Sequence, residues 1–162
     1  MIITVKINGK TYKDEVAPDT VLLDYLRSHG CYSVKRGCET SNCGLCTVHM
    51  NSKPVLSCSV LAVRADGQEI TTLEGLQKEA EEFGAFLADE GGEQCGFCSP
   101  GFIMNVLAMV KELKNPTDEE IKKYLEGNLC RCTGYQSQMR AIKKYLDFKQ
   151  KEEQKRNTST LI

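Results

Sequence analysis

Residues 37–46 read Gly37-Cys38-Glu39-Thr40-Ser41-Asn42-Cys43-Gly44-Leu45-Cys46, a loop with three cysteines spaced C-x4-C-x2-C. Cys58 closes this group after a gap of eleven residues. After 36 residues without a cysteine, a second group of four follows: Cys95, Cys98, Cys130 and Cys132. The ninth cysteine, Cys31, stands outside both groups. This layout predicts two separate sites with sulfur ligands.

The spacing of the first group is that of plant-type ferredoxins, in which it binds a 2Fe–2S cluster. Three thiolates can surround a small anionic core only if the chain between them bends easily. Gly37 and Gly44 flank the loop, and residues 40–42 are small and turn-tolerant. Zinc is the alternative, but zinc sites normally combine two short cysteine pairs. The predicted iron ligands of this site are Cys38, Cys43, Cys46 and Cys58.

The second group consists of two short pairs, so zinc is a more serious alternative here. Ser99-Pro100 follows Cys98 as a helix N-cap and a first-turn proline, and an apolar helical stripe also follows Cys132. Helix starts favour an anionic ligand, but a zinc tetrathiolate is anionic too. The tight Cys130-Arg131-Cys132 pair is shorter than the usual zinc spacing. Spacing alone therefore favours iron–sulfur and leaves zinc open.

The bulk composition is that of a globular protein: 162 residues, 41% hydrophobic and 27% charged, with 21 basic and 22 acidic residues. The near-neutral charge argues against a dedicated nucleic-acid binder. No run approaches the roughly 18 apolar residues of a membrane helix, and the N-terminus has no pattern of a secretory signal. We therefore expect a cytoplasmic protein whose cysteines bind metal or do redox chemistry.

The apolar periodicity changes near residue 75 and predicts two domains. Before this point, a hairpin turn at Asn8-Gly9 and a second hairpin around Asn51-Ser52 indicate strands around one short helix. After it, four helical stripes indicate a compact bundle. The predicted class is α+β, with a β-grasp ferredoxin-like domain at residues 1–74 and a four-helix bundle at residues 75–149. Residues 150–162 are predicted to be a polar tail, extended or disordered.

Three motifs resemble the small iron–sulfur subunit of the molybdenum hydroxylases, the family of xanthine dehydrogenase and aldehyde oxidoreductase. They are Gly37-Cys38 with Cys43-Gly44-Leu45-Cys46-Thr47-Val48, then Gln94-Cys95-Gly96-Phe97-Cys98-Ser99-Pro100-Gly101, then Gly127-Asn128-Leu129-Cys130-Arg131-Cys132-Thr133-Gly134-Tyr135. The resemblance covers about residues 1–148. It implies that the second group also holds a 2Fe–2S cluster, with Cys95, Cys98, Cys130 and Cys132 as ligands.

The resemblance also implies roles for single residues. Gln94 and Cys132 match family positions that lie against a pterin, where Gln94 would hydrogen-bond it. Gln138 departs from the family pattern, which usually has isoleucine at this position. No catalytic residue is expected in this chain.

The implied function is that of an electron-transfer subunit. A large partner would hold a molybdopterin cofactor and hydroxylate the substrate, expected to be a purine such as xanthine. Electrons would pass through the second cluster and then the first to FAD on a third, medium-sized chain. Two alternatives stay open: a standalone two-cluster ferredoxin-like carrier and a zinc-stabilised interaction module.

Overall fold

The computed structural model describes residues 1–159. The first half forms a mixed sheet in the order β2-β1-β5-β3-β4, in which β1 and β5 are parallel and the other neighbours antiparallel. The strands are β1 (Ile2–Ile7), β2 (Lys10–Glu15), β3 (Thr47–Met50), β4 (Lys53–Leu56) and β5 (Glu69–Thr71). A short helix, α1 (Leu22–Ser28), buries its apolar residues in the same core. This is the predicted ferredoxin-like arrangement.

The second half is helical, as the sequence predicts. The helices are α2 (Gln77–Asp89), α3 (Ser99–Glu112), α4 (Asp118–Leu125) and α5 (Gln136–Ser159). The Thr117 hydroxyl accepts the Glu120 N–H while the Glu120 carboxylate accepts the Thr117 N–H, a capping box that starts α4. None of the helices among the described residues combines the length and apolar character that a membrane span needs.

The expectation of an extended or disordered tail is wrong for residues 150–159, because α5 continues through them to Ser159. This segment contains no glycine or proline and is rich in Lys, Glu, Gln and Arg, which have high helix propensity. Lys149 and Glu152, three residues apart, also form an ion pair on the helix. Residues 160–162 of the predicted tail lie outside the described residues.

Two separate hydrophobic cores form among the described residues. The first fills the space between the sheet and α1, where β1 alternates exposed and buried residues along its length. The second joins α2, α3, α4 and α5 and contains a group of aromatic rings, among which Phe83 and Tyr145 are 5.1 Å apart. Each core is thus built mainly from one half of the chain.

The two halves meet where α3 packs against β3. Nε2 of the buried His49 in β3 donates to the Met104 carbonyl oxygen in α3, at 2.7 Å. Burial lowers the pKa of His49, so the ring is neutral and this contact is an uncharged hydrogen bond. The interface places the start of α3, and with it the second group of cysteines, beside the first cysteine loop.

The Glu74 carboxylate forms hydrogen bonds that hold the segment before the first cysteine loop in place. It accepts the Ser33 N–H at 2.8 Å, the Ser33 hydroxyl at 2.6 Å and the Thr72 hydroxyl at 2.6 Å. Burial alone would raise the pKa of Glu74, but these donors outweigh burial and lower the pKa. The carboxylate is therefore more stable in the folded chain than in the unfolded one.

We expect Glu74→Gln to destabilise the protein by about 1–3 kcal/mol at pH 7, because the amide cannot accept all three donors. The pKa of Glu74 is lower in the folded chain than in the unfolded chain, where it is about 4.3. The stabilisation by the carboxylate is therefore fully present above the unfolded pKa and is lost as the pH falls through the folded pKa. Thermal unfolding followed by circular dichroism should show a difference in thermal midpoint between wild type and variant that is largest at pH 7 and becomes smaller in acid. An equal gap at every pH would contradict the role of the charge.

Candidate metal centres

The first candidate centre lies beside β3 and β4, the last two strands in the sheet order. Its thiols come from the loop before β3, with Cys38, Cys43 and Cys46, and from the turn after β4, with Cys58. Thr47 pairs with Leu56 across the two strands, so the residues just outside this pair meet. The hydroxyl and the N–H of Ser57 both donate to the Cys46 carbonyl oxygen, at 2.7 and 3.2 Å. The hairpin register therefore brings Cys58 to the loop.

The four thiols of this centre interact in two pairs, Cys38 with Cys43 and Cys46 with Cys58. The backbone N–H of Asn42 donates to the Cys38 sulfur and, with further donors, lowers the pKa of this thiol to about 6. Burial raises the pKa of Cys46 to about 11. The loop thus aims backbone donors at thiolate sulfur while enclosing part of the site, as an anionic cluster requires.

The second candidate centre lies where two loops lead into helices. Cys95 and Cys98 precede α3, and Cys130 and Cys132 precede α5. The sulfurs of Cys95 and Cys132 are 3.6 Å apart, and the Cys98 thiol hydrogen-bonds with Cys130. The structure therefore brings together cysteines that are more than 30 residues apart in the sequence.

The surroundings of these thiols differ from one to the next. Burial raises the pKa of Cys98 to about 12. Burial also acts to raise the pKa of Cys130, but hydrogen bonds led by the Thr133 hydroxyl, at 3.2 Å, lower it overall. The backbone N–H of Phe97 donates to the Cys95 sulfur and lowers the pKa of this thiol. Two of the four sulfurs thus lie among donors that favour the charged form in which a thiol binds metal.

The paired arrangement fits a cluster with two iron atoms. Two thiolates on one tetrahedral metal ion, with bonds of about 2.3 Å, lie about 3.8 Å apart. The 3.6 Å between the sulfurs of Cys95 and Cys132 is close to this value. Each centre offers two pairs of interacting thiols, and a 2Fe–2S cluster takes two ligands on each of its irons. Within residues 1–159, no group of three or more His, Cys, Asp and Glu side chains has the spacing for a single metal ion.

One end of the second centre is open to solvent. Gln94, Cys95 and Cys132 are all exposed, and Nε2 of Gln94 donates to the Cys132 carbonyl oxygen at 3.3 Å. The structure therefore places Gln94 beside Cys132, with both at the molecular surface. Such an end can contact a group carried by another chain.

Cys31 lies apart from both centres. It is buried in the first core, where burial raises the pKa of its thiol and Nδ2 of Asn8 lies 3.9 Å from its sulfur. This environment is that of a small apolar side chain.

Sequence reasoning missed two residues that support the second centre. The Tyr135 hydroxyl accepts the Cys130 N–H at 2.9 Å, and the buried Asn128 lies between the two cysteine loops. Both belong to the motif around Cys130, but neither is a cysteine, the ligand that 2Fe–2S clusters usually take. The sequence indicated their supporting role only through their position close to Cys130 and Cys132.

Two family models match the chain: the 2Fe-2S iron-sulfur cluster binding domain over residues 5–88 and the 2Fe-2S binding domain over residues 72–143. The xanthine dehydrogenase iron-sulfur-binding subunit of Escherichia coli O157:H7 is 46% identical over 134 residues, 80% of this chain and 84% of the relative. A probable xanthine dehydrogenase subunit of Bacillus subtilis (strain 168) is 42% identical over 138 residues, 83% of this chain and 79% of the relative. The chain belongs to the iron–sulfur subunits of the molybdenum hydroxylases.

Solved structures share the fold of this iron–sulfur subunit. Quinoline 2-oxidoreductase from Pseudomonas putida 86 matches with a TM-score of 0.80 and 37% identity, over 88% of this chain and 90% of that chain. Aldehyde oxidoreductase from Desulfovibrio desulfuricans ATCC 27774 matches with a TM-score of 0.85 and 34% identity, over 93% of this chain but 17% of that chain. The predicted fold class is confirmed.

The comparisons also confirm the predicted function in its main terms. The protein is an electron-transfer subunit of a molybdenum hydroxylase of the xanthine dehydrogenase type, and it binds two 2Fe–2S clusters. It performs no substrate chemistry of its own, and a larger partner is implied. The zinc-stabilised module and the standalone carrier are therefore set aside.

Gln138 is one position at which this iron–sulfur subunit departs from the family pattern. Its side chain is buried, and Oε1 has no hydrogen-bond partner among the described residues. It lines a partly open pocket of about 560 Å³ whose walls combine apolar side chains, such as Phe102 and Ile142, with charged ones, such as Asp118 and Lys122. An unsatisfied buried oxygen costs roughly 1–3 kcal/mol.

We expect Gln138→Ile to stabilise the isolated subunit by about 1 kcal/mol, because it removes the unsatisfied oxygen and keeps the volume filled. The thermal midpoint should rise by about 2–4 °C in circular dichroism. Gln136→Ile is the matched control, since Gln136 lies in the same turn but is exposed. An equal rise in the thermal midpoint of both variants, or no rise in Gln138→Ile, would contradict the idea that the unsatisfied oxygen of Gln138 destabilises the fold.

Proposed function

We propose that each group of four cysteines holds one of the two clusters. The ligands of the first are Cys38, Cys43, Cys46 and Cys58, and those of the second are Cys95, Cys98, Cys130 and Cys132. Support comes from the contacts within each group, which arrange four thiols as two pairs. Each cluster, when bound, takes up and gives away one electron. The first lies in the unit of residues 1–74 and the second in that of residues 75–149.

We infer that electrons enter at the Cys132 end and leave at the Cys58 end. Exposure of Gln94 and Cys132 leaves this end free to contact a molybdopterin on the large partner, with Gln94 as a hydrogen-bonding residue. At the proposed exit, Cys58 is half-buried and its neighbour Ser59 is exposed, so this centre is also accessible from the surface. The acceptor at that end is proposed to be FAD on a medium-sized subunit.

The proposed substrate of the complex is a purine such as xanthine. This proposal rests on the two relatives named as xanthine dehydrogenase subunits, because the substrate pocket would lie on the partner. The proposed location is the cytoplasm, where the nine cysteines, all free in the structure, would stay reduced for metal binding.

The observation that carries the proposal is the exposure of Gln94 beside two thiols of the second centre, since a free carrier needs no such end. The test is metal analysis of the complex that co-purifies with this chain from its native source. We expect molybdenum together with about four iron atoms per molybdenum. Reduction of the clusters by xanthine, followed in the visible spectrum, would then support the substrate. Iron without molybdenum and without larger partners would overturn the proposal.

A further inference from the structure

Asn128 joins the two cysteine loops, although it ligates neither centre. It lies two residues before Cys130 and is only 7% exposed. Its Nδ2 lies 3.5 Å from the Gly44 carbonyl oxygen, in the first cysteine loop, and 3.5 Å from the Gly101 carbonyl oxygen, in α3. Its Oδ1 accepts Nδ2 of Asn105 at 2.6 Å, which fixes the orientation of the amide.

The backbones of the two loops touch at this point. The Leu129 N–H donates to the Cys43 carbonyl oxygen at 2.9 Å, so that one hydrogen bond separates a residue bonded to Cys130 from Cys43 itself. A Cβ on Gly44 would lie 2.4 Å from the Gly127 carbonyl oxygen, so no side chain fits between the loops. The two loops are therefore as close as backbone atoms allow.

We propose that Asn128 is a positioning residue for electron transfer within this chain: its amide holds the two cysteine loops together and thereby sets the electronic coupling between the two clusters. This proposal rests on the ligand sets given under the proposed function. Coupling between two redox centres weakens steeply with distance and with each missing bonded contact. The Gly44 carbonyl oxygen also accepts the Thr47 hydroxyl within its own loop, at 2.7 Å, so the Asn128 amide is the donor that reaches it from the second loop. Loss of this donor would remove the link from Asn128 to Gly44 and Gly101 and loosen the contact between Leu129 and Cys43.

The decisive variant is Asn128→Asp in the native complex. Aspartate has nearly the same shape and can still accept the Asn105 amide, but it cannot donate to Gly44 or Gly101. The measurements are iron and sulfide content, the electron paramagnetic resonance spectrum of the fully reduced complex, and the rate of electron transfer between the clusters after rapid reduction. We expect the full iron content, a smaller splitting from the interaction of the two reduced clusters, and a rate lower by about tenfold.

Gln136→Glu is the matched control. It makes the same exchange of an amide for a carboxylate near the second centre, at an exposed residue in the first turn of α5. Its splitting should equal that of the wild type. If the charge alone mattered, the two variants would change the splitting and the rate alike, which would overturn the positioning role.

The positioning role of Asn128 would also be overturned if a fully loaded Asn128→Asp complex kept the splitting and the electron-transfer rate of the wild type. If this variant loses iron, Asn105→Ala takes its place, because it leaves Asn128 in the chain and removes the contact that orients its amide, together with a hydrogen bond to the Tyr124 carbonyl oxygen in α4. Wild-type coupling in a loaded Asn105→Ala complex would then refute the proposal. Failure of the proposed function would look different, since the wild type itself would lack two interacting iron–sulfur signals.

Discussion

Replacement of Cys130 by serine should lower the iron and sulfide content of the chain from about four atoms of each to about two. Serine removes one of the four thiols of the second centre. In the wild type, the Cys130 thiol pairs with Cys98 and accepts a hydrogen bond from the Thr133 hydroxyl. In the proposed ligand sets the first centre draws no ligand from this loop, so its visible absorption and its paramagnetic signal should remain. Electron flow from the molybdenum partner to the first centre should fall below detection. Metal analysis and spectroscopy of the purified complex measure both effects.

Cys31→Ser provides the control for this experiment. Cys31 is buried but lies in the first core, apart from both groups of thiols. This variant should keep about four iron atoms and lose only some stability. Full iron content in Cys130→Ser, or loss of half the iron in Cys31→Ser, would show that the assignment of ligands is wrong.

Gly101→Ala should have the largest effect on stability. An added Cβ would lie 2.3 Å from the Gly44 carbonyl oxygen and 2.8 Å from the Leu45 Cα, both backbone atoms that cannot turn away. Relief requires α3 to move away from the first cysteine loop. We expect a loss of about 3 kcal/mol or more, seen as a fall of about 10 °C in the thermal midpoint. The two halves should then unfold in separate steps in calorimetry.

Gly84→Ala makes the same chemical change at a site with free space. Gly84 lies within α2, and a Cβ there would meet nothing within 4 Å. It should stabilise the protein by up to about 1 kcal/mol, because alanine favours the helix. A similar destabilisation by both substitutions would show that steric contact with the first loop is not the cause.

The local features of this protein were predictable because each depends on a few neighbouring residues. Asn8-Gly9 occupies the turn between β1 and β2, with both residues at positive φ, as the dipeptide predicts. The capping box at Thr117 starts α4 where the sequence places it. The cysteine spacing separates two groups of four because loop length limits which thiols can meet.

The contact between the two halves was not predictable in the same way. Gly101 reads as a first-turn residue of a helix, and nothing near it in the sequence shows that its missing side chain makes room for Gly44, 57 residues earlier. Asn128 likewise has partners at 44, 101 and 105, which only the folded chain brings together. The helical tail was missed for a related reason, since a polar composition alone does not distinguish a solvated helix from an extended segment.

The thiols of the two centres become available at different times during biosynthesis. A ribosome delivers all four thiols of the first centre by residue 58, but the last thiol of the second only at residue 132. Until then, the carbonyl oxygens of Cys43 and Gly44 lack the donors from Leu129 and Asn128 that cover them in the finished protein. Iron and sulfur delivered during synthesis would therefore meet an uncovered first loop while the helical half is still being made. We expect the first site to be filled before the second, and the nascent helices to close over it.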